Sequence, residues 1–225
     1  MTGRRLLLVG HGRMGRLVEE LAPAAGFSVA GAITSGSAAG PWPDADVAID
    51  FSTAAAVPGT VRRLVPRGIP IVIGTTGWQD AEQELRAWAV EHGGAVVAAA
   101  NFAIGVNVFL ALVERAGALF TSQPAFGAWI HEIHHATKRD APSGTALAME
   151  RALRASGFTG AVPIASTRAG AVPGTHTVGF DAPSEAITIT HQARDRGAFA
   201  RGALEAARWI PGRLGWFSMK DVLGL

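Results

Sequence analysis

The chain has 225 residues, 48% of them hydrophobic, and its 20 lysines and arginines nearly balance its 18 aspartates and glutamates, leaving a formal net charge of +2. This length and apolar content suit a compact α/β protein of one large or two small domains. The small charge gives no reason to expect nucleic-acid binding, the absence of cysteine excludes disulfides and thiolate chemistry, and no apolar run approaches the roughly 20 residues needed to cross a bilayer.

The N-terminus combines two arginines with a short apolar run, Leu6–Val9. A run this short does not form the core of a signal peptide. It predicts instead a first β-strand, Arg4–Val9. We therefore expect a cytoplasmic protein that binds neither membrane nor nucleic acid.

A glycine-rich motif follows this strand and opens a helix that runs to about Leu21. Its pattern is G-x-G-x-x-G, in which the first glycine allows a tight turn, the second lets a pyrophosphate approach the backbone, and the third permits close packing of helix on strand. Some matches to this pattern are only tight turns. After a strand and before a helix, it favours binding of a dinucleotide, NADPH or NADH, by Gly10, His11, Gly12, Arg13, Met14 and Gly15.

The second predicted strand, Phe27–Ile33, bears on the choice of cofactor. Domains that prefer NAD usually carry Asp or Glu at the end of this strand, where it holds the ribose 2′-hydroxyl. Here Thr34 and Ser35 follow the strand, and the first acidic residue after the strand is Asp44. Hydroxyl groups do not repel a 2′-phosphate, and Arg13 is a possible cationic neighbour. We expect Thr34 and Ser35 to contact the cofactor and NADPH to be accepted at least as well as NADH.

Three further strands are predicted at Asp46–Phe51, Pro70–Ile73 and Ala95–Ala100, separated by helices at 54–65 and 79–92. Alternating strands and helices imply a parallel sheet that binds ligands at the carboxyl ends of its strands. The residues that follow two of these strands lie at the same edge as the glycine motif: Gly74, Thr75 and Thr76, and Ala99, Ala100, Asn101 and Phe102. By position they would flank the nicotinamide. The alternative is that they form ordinary turns.

The second half of the chain changes pattern. A helix is predicted at Gly105–Leu119, and Gly157–Pro173 is predicted to be a connection. Thr175–Phe180 and Ala186–His191 alternate with period two, as half-solvated antiparallel strands do. The change from buried to alternating strands indicates a second domain, after which a helix at Ala198–Ile210 returns the chain.

The segment EIHHATKRDAPSGT, residues 132–145, concentrates ionisable groups between a predicted strand and a predicted helix. Ser143 is a natural N-cap, and the free N–H groups of a helix start favour an anion. Lys138 is one of only two lysines, the other being Lys220. Because a lysine can donate a proton near neutral pH and an arginine cannot, this choice indicates a proton donor, with chance placement as the alternative.

The histidines of this segment pose a geometrical question. In a regular strand His134 and His135 point to opposite faces, so they share one site only if the strand ends or bends between them. Otherwise one of the two is structural. His131 is interpreted as structural, and His176 and His191 as pocket lining or interface. No further ligand joins the pair at a spacing typical of metal sites, so we predict no metal.

Several segments that are collinear over nearly the whole chain resemble the 4-hydroxy-tetrahydrodipicolinate reductase family, formerly called dihydrodipicolinate reductase, of lysine and diaminopimelate biosynthesis. They include VGHGRMGRLV, VIGTTG, AANFAIGVNV and the most specific run, EIHHATKRDAPSGTA. The resemblance implies an α/β protein with an N-terminal Rossmann-like parallel-sheet domain, residues 1–103, rejoined by about 197–225. It also implies a smaller α+β domain, residues 104–196, whose open mixed sheet binds substrate and builds a homotetramer.

Matched position also implies roles for individual residues. His134 corresponds to the catalytic acid–base histidine and Lys138 to the proton donor. His135 would contact a small dicarboxylate substrate, and Ser143, Gly144 and Thr145 would hold one of its carboxylates. The implied reaction transfers a hydride from NAD(P)H to the cyclic imine derived from 4-hydroxy-tetrahydrodipicolinate. The alternatives are another NAD(P)-dependent amino-acid or semialdehyde dehydrogenase, or a non-catalytic nucleotide-binding regulator.

The chain departs from the family pattern between its second and third strands. It is shorter there, so that a helix is expected to be missing, and the acidic residue often found after the second strand is absent. Both departures concern cofactor preference, and neither touches residues 132–145.

Overall fold

A computed structural model of the protein describes residues 3–225. Met1 and Thr2, with which the predicted N-terminal domain begins, lie outside the described residues. The chain divides into two compact units. Unit 1 comprises the residues up to Ile104 together with Gly197–Leu225, and unit 2 comprises Gly105–Arg196.

The regular elements of residues 3–225 follow in chain order. In the first half they are β1 (Arg4–Val9), α1 (Arg13–Leu21), β2 (Phe27–Ile33), β3 (Val47–Asp50), α2 (Val57–Leu64), β4 (Ile71–Ile73), α3 (Glu82–Glu91) and β5 (Ala95–Ala98). In the second half they are α4 (Ile104–Phe120), β6 (Gly127–His134), α5 (Gly144–Ala155), β7 (Ile164–Arg168), β8 (Thr175–Ala182), β9 (Glu185–Gln192), α6 (Gly197–Trp209), β10 (Gly215–Phe217) and α7 (Met219–Leu223).

Unit 1 is built on a six-stranded parallel sheet with the order β10-β5-β4-β3-β1-β2. The apolar run of β1 is buried on both faces, as expected for a parallel sheet covered by helices on each side. Leu6 and Leu8 pack with residues of α1 and α6 on one face. Leu7 and Val9 pack with residues of α2 and α3 on the other. The predicted Rossmann-like parallel sheet is confirmed.

The connection between β2 and β3 contains no helix or strand, which confirms the expected loss of an element at this point. Two arginines that follow in the chain hold it. Arg63 on α2 donates from Nη1 to the carbonyl of Ala38 at 2.8 Å and from Nη2 to the carbonyl of Gly40. Arg67 lies 2.7 Å from a carboxylate oxygen of Asp44. The segment is therefore anchored to α2 and the turn after it.

Unit 2 is built on a four-stranded sheet with the order β7-β6-β8-β9. The β6–β7 pair is parallel and the other two pairs are antiparallel, so the predicted mixed sheet is confirmed. Every second residue of β6 is buried. Two of them, Ala128 and Ile130, pack in a core to which α4 contributes Phe109 and Val113, and α5 contributes Met149 and Leu153.

Two strands were not predicted. Gly157–Pro173 was predicted to be a connection, which is wrong, because it contains β7, paired in parallel with β6. β7 has no buried residue, so its strand conformation comes from backbone pairing and leaves no apolar alternation in the sequence. β10 is a three-residue edge strand that pairs with β5.

Among residues 3–225, no helix combines the length and the apolar character needed to cross a membrane.

Candidate active site

The glycine motif forms the turn between β1 and α1. Gly10 has a φ of +88°, and a Cβ placed there would lie 2.3 Å from the carbonyl oxygen of Phe51. A Cβ at Gly15 would lie 2.1 Å from the carbonyl oxygen of Gly10, so this glycine lets the helix approach the strand. A Cβ at Gly12 meets no atom within 4 Å. The open space over Gly12 fits the approach of a pyrophosphate to the backbone at the start of α1.

A cavity of about 540 Å³ opens at this loop, within the size range of small-molecule sites. Its lining includes Gly10, His11, Gly12, Thr34 and Ser35 of the predicted cofactor residues. The side chain of His11 is turned to Glu19, with Nε2 2.7 Å from the carboxylate. Sequence reasoning missed the rest of the lining, which includes Trp42, Ser52, Thr53, Thr60 and Arg63.

The other predicted cofactor residues do not line this cavity. Arg13 is exposed, and Met14 and Gly15 lie within α1. Gly74, Thr75 and Thr76 follow β4, and Ala99, Ala100, Asn101 and Phe102 follow β5, at the carboxyl edge of the parallel sheet.

A buried aspartate organises this edge. Asp50, at the end of β3, accepts hydrogen bonds on Oδ1 from the hydroxyl of Ser52 at 2.6 Å and from that of Thr75 at 2.8 Å. The side chain of Thr75 is therefore held by the protein, whereas Thr76 is exposed. Phe102 is buried in the unit 1 core and contacts Phe51 edge to face, so its side chain serves packing.

The segment 132–145 builds a polar network in unit 2. Glu132 and His134 lie two residues apart on β6, on the buried face of the strand, and Nδ1 of His134 hydrogen-bonds to Glu132 Oε2. Arg168, directly opposite His134 on β7, donates to Glu132 Oε1 at 2.7 Å. His176, directly opposite Glu132 on β8, meets the ring of His134 edge to face, with ring centroids 5.0 Å apart.

The pKa directions define the charges in this network. Burial raises the pKa of Glu132, but hydrogen bonds from Arg168, Ser166 and His134 outweigh it and lower the pKa to about 2. Burial lowers the pKa of His134 against the opposing effect of Glu132. Burial, reinforced by the charge of His134, lowers the pKa of His176 to about 4. At neutral pH Glu132 is therefore charged and both imidazoles are neutral.

The neutral state of His134 has a consequence for its two ring nitrogens. Because Glu132 accepts at Nδ1, the proton is assigned to that nitrogen and Nε2 carries the lone pair. A Cβ at Gly174 would lie 3.0 Å from this Nε2, so a glycine keeps the nitrogen uncrowded. Nδ1 of His176 and Nε of Arg168 are buried without a hydrogen-bond partner among residues 3–225.

The strand ends at His134, so the alternation of faces stops before His135. His135 is half-buried, its Nδ1 lies 2.8 Å from the hydroxyl of Thr137, and its carbonyl accepts from the backbone N–H of Lys138 at 3.1 Å. The ammonium of Lys138 contacts both carboxylate oxygens of Asp140, at 2.7 and 2.9 Å. Its positive charge also lowers the pKa of His134.

Ser143 is the N-cap of α5, as predicted. Its hydroxyl accepts from the backbone N–H of Ala146 at 3.3 Å and lies 3.2 Å from Nε2 of His176. The N–H groups of Gly144 and Thr145 precede the first intrahelical bond, which Leu147 donates to the carbonyl of Ser143. A Cβ at Gly144 would meet nothing within 4 Å. The helix start therefore has open space and free donors.

Sequence reasoning predicted His134, Lys138 and Ser143 as site residues, interpreted His176 as pocket lining or interface, and missed Glu132 and Arg168. Glu132 could have been found, because it lies one strand period before His134. Arg168 could not, because it joins through the pairing of β7 with β6, and the position of His176 opposite Glu132 likewise depends on the pairing of β8 with β6. The backbone carbonyl of Asp140 accepts from Arg168 at 2.6 Å, so the network runs from Ser143 to Lys138.

Glu132, His134 and His176 place donor atoms within 4.8 Å of one another, a spacing that a metal ion could bridge. Both carboxylate oxygens of Glu132 are already hydrogen-bonded, one of them to the guanidinium of Arg168. The adjacent positive charge opposes a second cation. We keep the prediction of no metal.

Two family models match the chain. The model for the N-terminus of dihydrodipicolinate reductase matches residues 4–102, and the model for its C-terminus matches residues 105–223. The 4-hydroxy-tetrahydrodipicolinate reductase of Acidiphilium cryptum (strain JF-5) is 42% identical over 235 residues, covering 95% of this chain and 94% of the relative. That of Zymomonas mobilis subsp. mobilis (strain ATCC 31821 / ZM4 / CP4) is 38% identical, covering 97% and 96%.

Solved structures share the fold. The dipicolinate-bound dihydrodipicolinate reductase from Paenisporosarcina sp. TG-14 matches with a TM-score of 0.82 at 21% identity, covering 97% of this chain and 98% of that one. The amine dehydrogenase from Mycobacterium smegmatis matches with a TM-score of 0.59 at 10% identity, covering 97% and 95%. At these identities the likeness concerns architecture alone.

Proposed function

Since the chain belongs to the dihydrodipicolinate reductase family and is an NAD(P)H-dependent reductase of lysine and diaminopimelate biosynthesis, we propose that His134 and Lys138 are the groups that handle protons in its reaction. The substrate is the cyclic imine dicarboxylate derived from 4-hydroxy-tetrahydrodipicolinate, and the product is tetrahydrodipicolinate. In this proposal unit 1 binds the dinucleotide and unit 2 binds the substrate.

The observation that carries the proposal is the continuity of the family match. It covers residues 4–102 and 105–223 and so includes both the glycine loop and the network around His134. A relative 42% identical over 95% of the chain bears the name of this reductase.

The start of α5 is the proposed site for one substrate carboxylate. The backbone N–H groups of Gly144 and Thr145 and the hydroxyl of Ser143 provide donors at the positive end of the helix dipole. Lys138 and Arg168 are the cations of the same network, and they are ion-paired with Asp140 and Glu132, respectively. The donors at the helix start are the ones left open, and they suit a carboxylate. His135 stands directly after His134 and is assigned a contact with the substrate.

Proton delivery is assigned to Lys138 with His134. A reduced nicotinamide bound by unit 1 would supply a hydride, and the negative charge that then develops on the conjugated nitrogen side of the substrate would require a proton there. Lys138 carries a transferable proton on its ammonium. His134, neutral and oriented by Glu132, presents Nε2 as a proton acceptor, so it can pass a proton to the substrate only after it has itself been protonated.

The residues present fit a dinucleotide, because a cavity of about 540 Å³ opens beside Gly12 and no Cβ intrudes over the glycine, while the predicted contacts after β4 and β5 lie outside that cavity. Gly10 to Gly15, Thr34, Ser35, Gly74 to Thr76 and Ala99 to Phe102 are the proposed contacts. We assign NADPH a use at least equal to that of NADH, since β2 ends in hydroxyls rather than a carboxylate. A kcat/KM more than tenfold higher with NADH would overturn this preference.

We also propose a homotetramer in the cytoplasm. The oligomer is supported by large apolar side chains of unit 2 that are exposed in the single chain, including Leu112 and Leu119 of α4 and Ile187 of β9. Exposed apolar groups of this size are typical of interfaces when they form a patch.

The test is an assay with freshly generated 4-hydroxy-tetrahydrodipicolinate that follows loss of NADPH and of NADH. We expect Lys138→Ala to lower kcat by about 10²-fold or more, the usual scale for a positioned proton donor, with cofactor affinity nearly unchanged. Lys138→Arg keeps the charge and removes the transferable proton, so it should fail similarly. Lys220→Ala, which alters the other, exposed lysine, serves as the control.

Each outcome has a distinct meaning. Equal kcat in Lys138→Ala and the parent would remove Lys138 from the mechanism. Recovery in Lys138→Arg would make it a charge clamp instead of a donor. Absence of turnover by the parent protein with either cofactor would overturn the proposed reaction.

A further inference from the structure

The unit 1 cavity carries a cation that the reaction proposed above does not use. This cation is Arg63, and Thr34, Ser35 and Trp42 line the same cavity. No Asp or Glu contributes to the lining, which lies wholly within the described residues, and Arg63 is its one Arg or Lys. A small ligand held at the glycine loop and extending along this cavity therefore meets a positive charge at the end of β2.

Arg63 is held in place by the connection that follows β2. Its Nη1 donates to the carbonyl of Ala38 at 2.8 Å, and its Nη2 donates to the carbonyl of Gly40. The guanidinium carbon lies 4.7 Å from the centroid of the Trp42 ring, within cation–π range. A guanidinium has five N–H groups in a fixed fork, and those not used by these two carbonyls have no partner among residues 3–225.

We propose that Arg63, positioned by Trp42, binds the 2′-phosphate of NADPH and makes this chain discriminate between the two nicotinamide cofactors. The inference rests on the proposed use of NADPH and identifies the residue responsible. A stacked, preorganised guanidinium suits a phosphate dianion, because it offers paired donors without losing further side-chain freedom. Thr34 and Ser35, at the end of β2, line the same cavity and add neutral hydroxyl groups to it.

The surrounding charges support Arg63 over its neighbours. Arg13 is exposed and lies outside the cavity lining. Arg62, one residue before Arg63, is exposed and paired with Glu84. The two acids of the connection are paired with other arginines, Asp44 with Arg67 at 2.7 Å and Asp46 with Arg5 at 3.1 Å. Arg63 is thus the cation that faces the ligand space, with no carboxylate in the lining to neutralise it.

The experiment measures dissociation constants of NADPH and NADH for the intact protein by titration calorimetry, without turnover. For Arg63→Gln we expect NADPH to bind about 10- to 100-fold more weakly, the scale of a lost charge-assisted hydrogen bond, and NADH to change less than about threefold. Arg62→Gln, the matched control, should leave both constants unchanged. The same titrations with adenosine 2′,5′-bisphosphate and 5′-AMP compare binding of the adenosine end of the cofactor with and without the 2′-phosphate, in the absence of the nicotinamide.

Selectivity decides the outcome. If Arg63→Gln weakens NADPH and NADH equally, Arg63 only anchors the connection and the inference fails. If NADPH affinity is unchanged, the inference also fails. If Arg63→Gln does not fold, Arg63→Lys is the second variant, because it keeps a charge in the cavity. A ratio of the NADPH and NADH dissociation constants equal to that of the parent protein would argue for charge alone and against the paired guanidinium geometry. In each case turnover with NADH still tests the reductase reaction separately.

Discussion

The buried charge of Glu132 sets the chemistry of His134. The carboxylate is fully buried, yet its pKa is lowered to about 2 because three donors, led by Arg168, outweigh the effect of burial. A charged group in such a place fixes the tautomer of the imidazole that it touches and stabilises the imidazolium form. In the proposed mechanism, the rate of proton transfer at Nε2 of His134 is thus coupled to a residue that need not touch the substrate.

We predict that Glu132→Gln lowers kcat by about 10²-fold or more, because an amide can donate to Nδ1 and reverse the tautomer of His134. Loss of the carboxylate also leaves burial unopposed, so the pKa of His134 falls further and its limb in the profile of kcat/KM moves to lower pH. The measurement is kcat/KM from pH 5 to 9, with NMR titration of the histidines.

Two variants keep this prediction testable. If Glu132→Gln is unstable, Glu132→Asp is the second variant. It retains the charge beside Arg168 and should therefore keep part of the rate. Glu185→Gln changes an exposed glutamate on β9 and should behave as the parent protein. A limb that moves to higher pH in Glu132→Gln would contradict the assigned role.

At the scale of elements, the sequence predicted those whose signal is local. β1 carries an apolar run flanked by Gly3 and Gly10, α1 follows the glycine motif, and α5 carries its own N-cap at Ser143. β7 was missed because its order comes from pairing with β6. The same reason hid Arg168, since a side chain on an unrecognised strand cannot be placed opposite His134. Arg63 stayed hidden because the connection that it holds has no repeating pattern.

The glycine loop gives opposite predictions for two neighbouring glycines. Gly10→Ala should destabilise the protein by about 3 kcal/mol or more, since its φ is +88° and its Cβ would meet the carbonyl of Phe51 at 2.3 Å. Gly12→Ala should lower stability by less than about 1 kcal/mol, the scale of an N-cap change. The same change should weaken cofactor binding about tenfold or more, since the new methyl group enters open space.

Thermal melting and cofactor titration distinguish these effects. A Gly10→Ala protein that melts like the parent would show that the backbone at this turn adapts. A Gly12→Ala protein with unchanged cofactor affinity would place the pyrophosphate away from the start of α1.

At the scale of the whole molecule, assembly is the property to measure. Light scattering should give about four times the 23.3 kDa mass of one chain if the proposed homotetramer forms. Ile187→Asp places a charge on an exposed apolar site of β9 and should lower the mass. Val90→Asp, at an exposed apolar site of α3, should not. A parent mass of 23.3 kDa would overturn the assembly.

The chain leaves unit 1 at Ile104 and returns to it at Gly197. Ala203, Leu204 and Ile210 complete the core that Leu6 and Leu8 begin, and β10 provides the last strand of the sheet. During synthesis the ribosome therefore releases all of unit 2 before the final pieces of unit 1 exist. Domains usually fold in the order in which they emerge. Here the sequence of the inserted unit is complete first, so part of the apolar surface of the N-terminal segment stays uncovered until the C-terminal segment has been made.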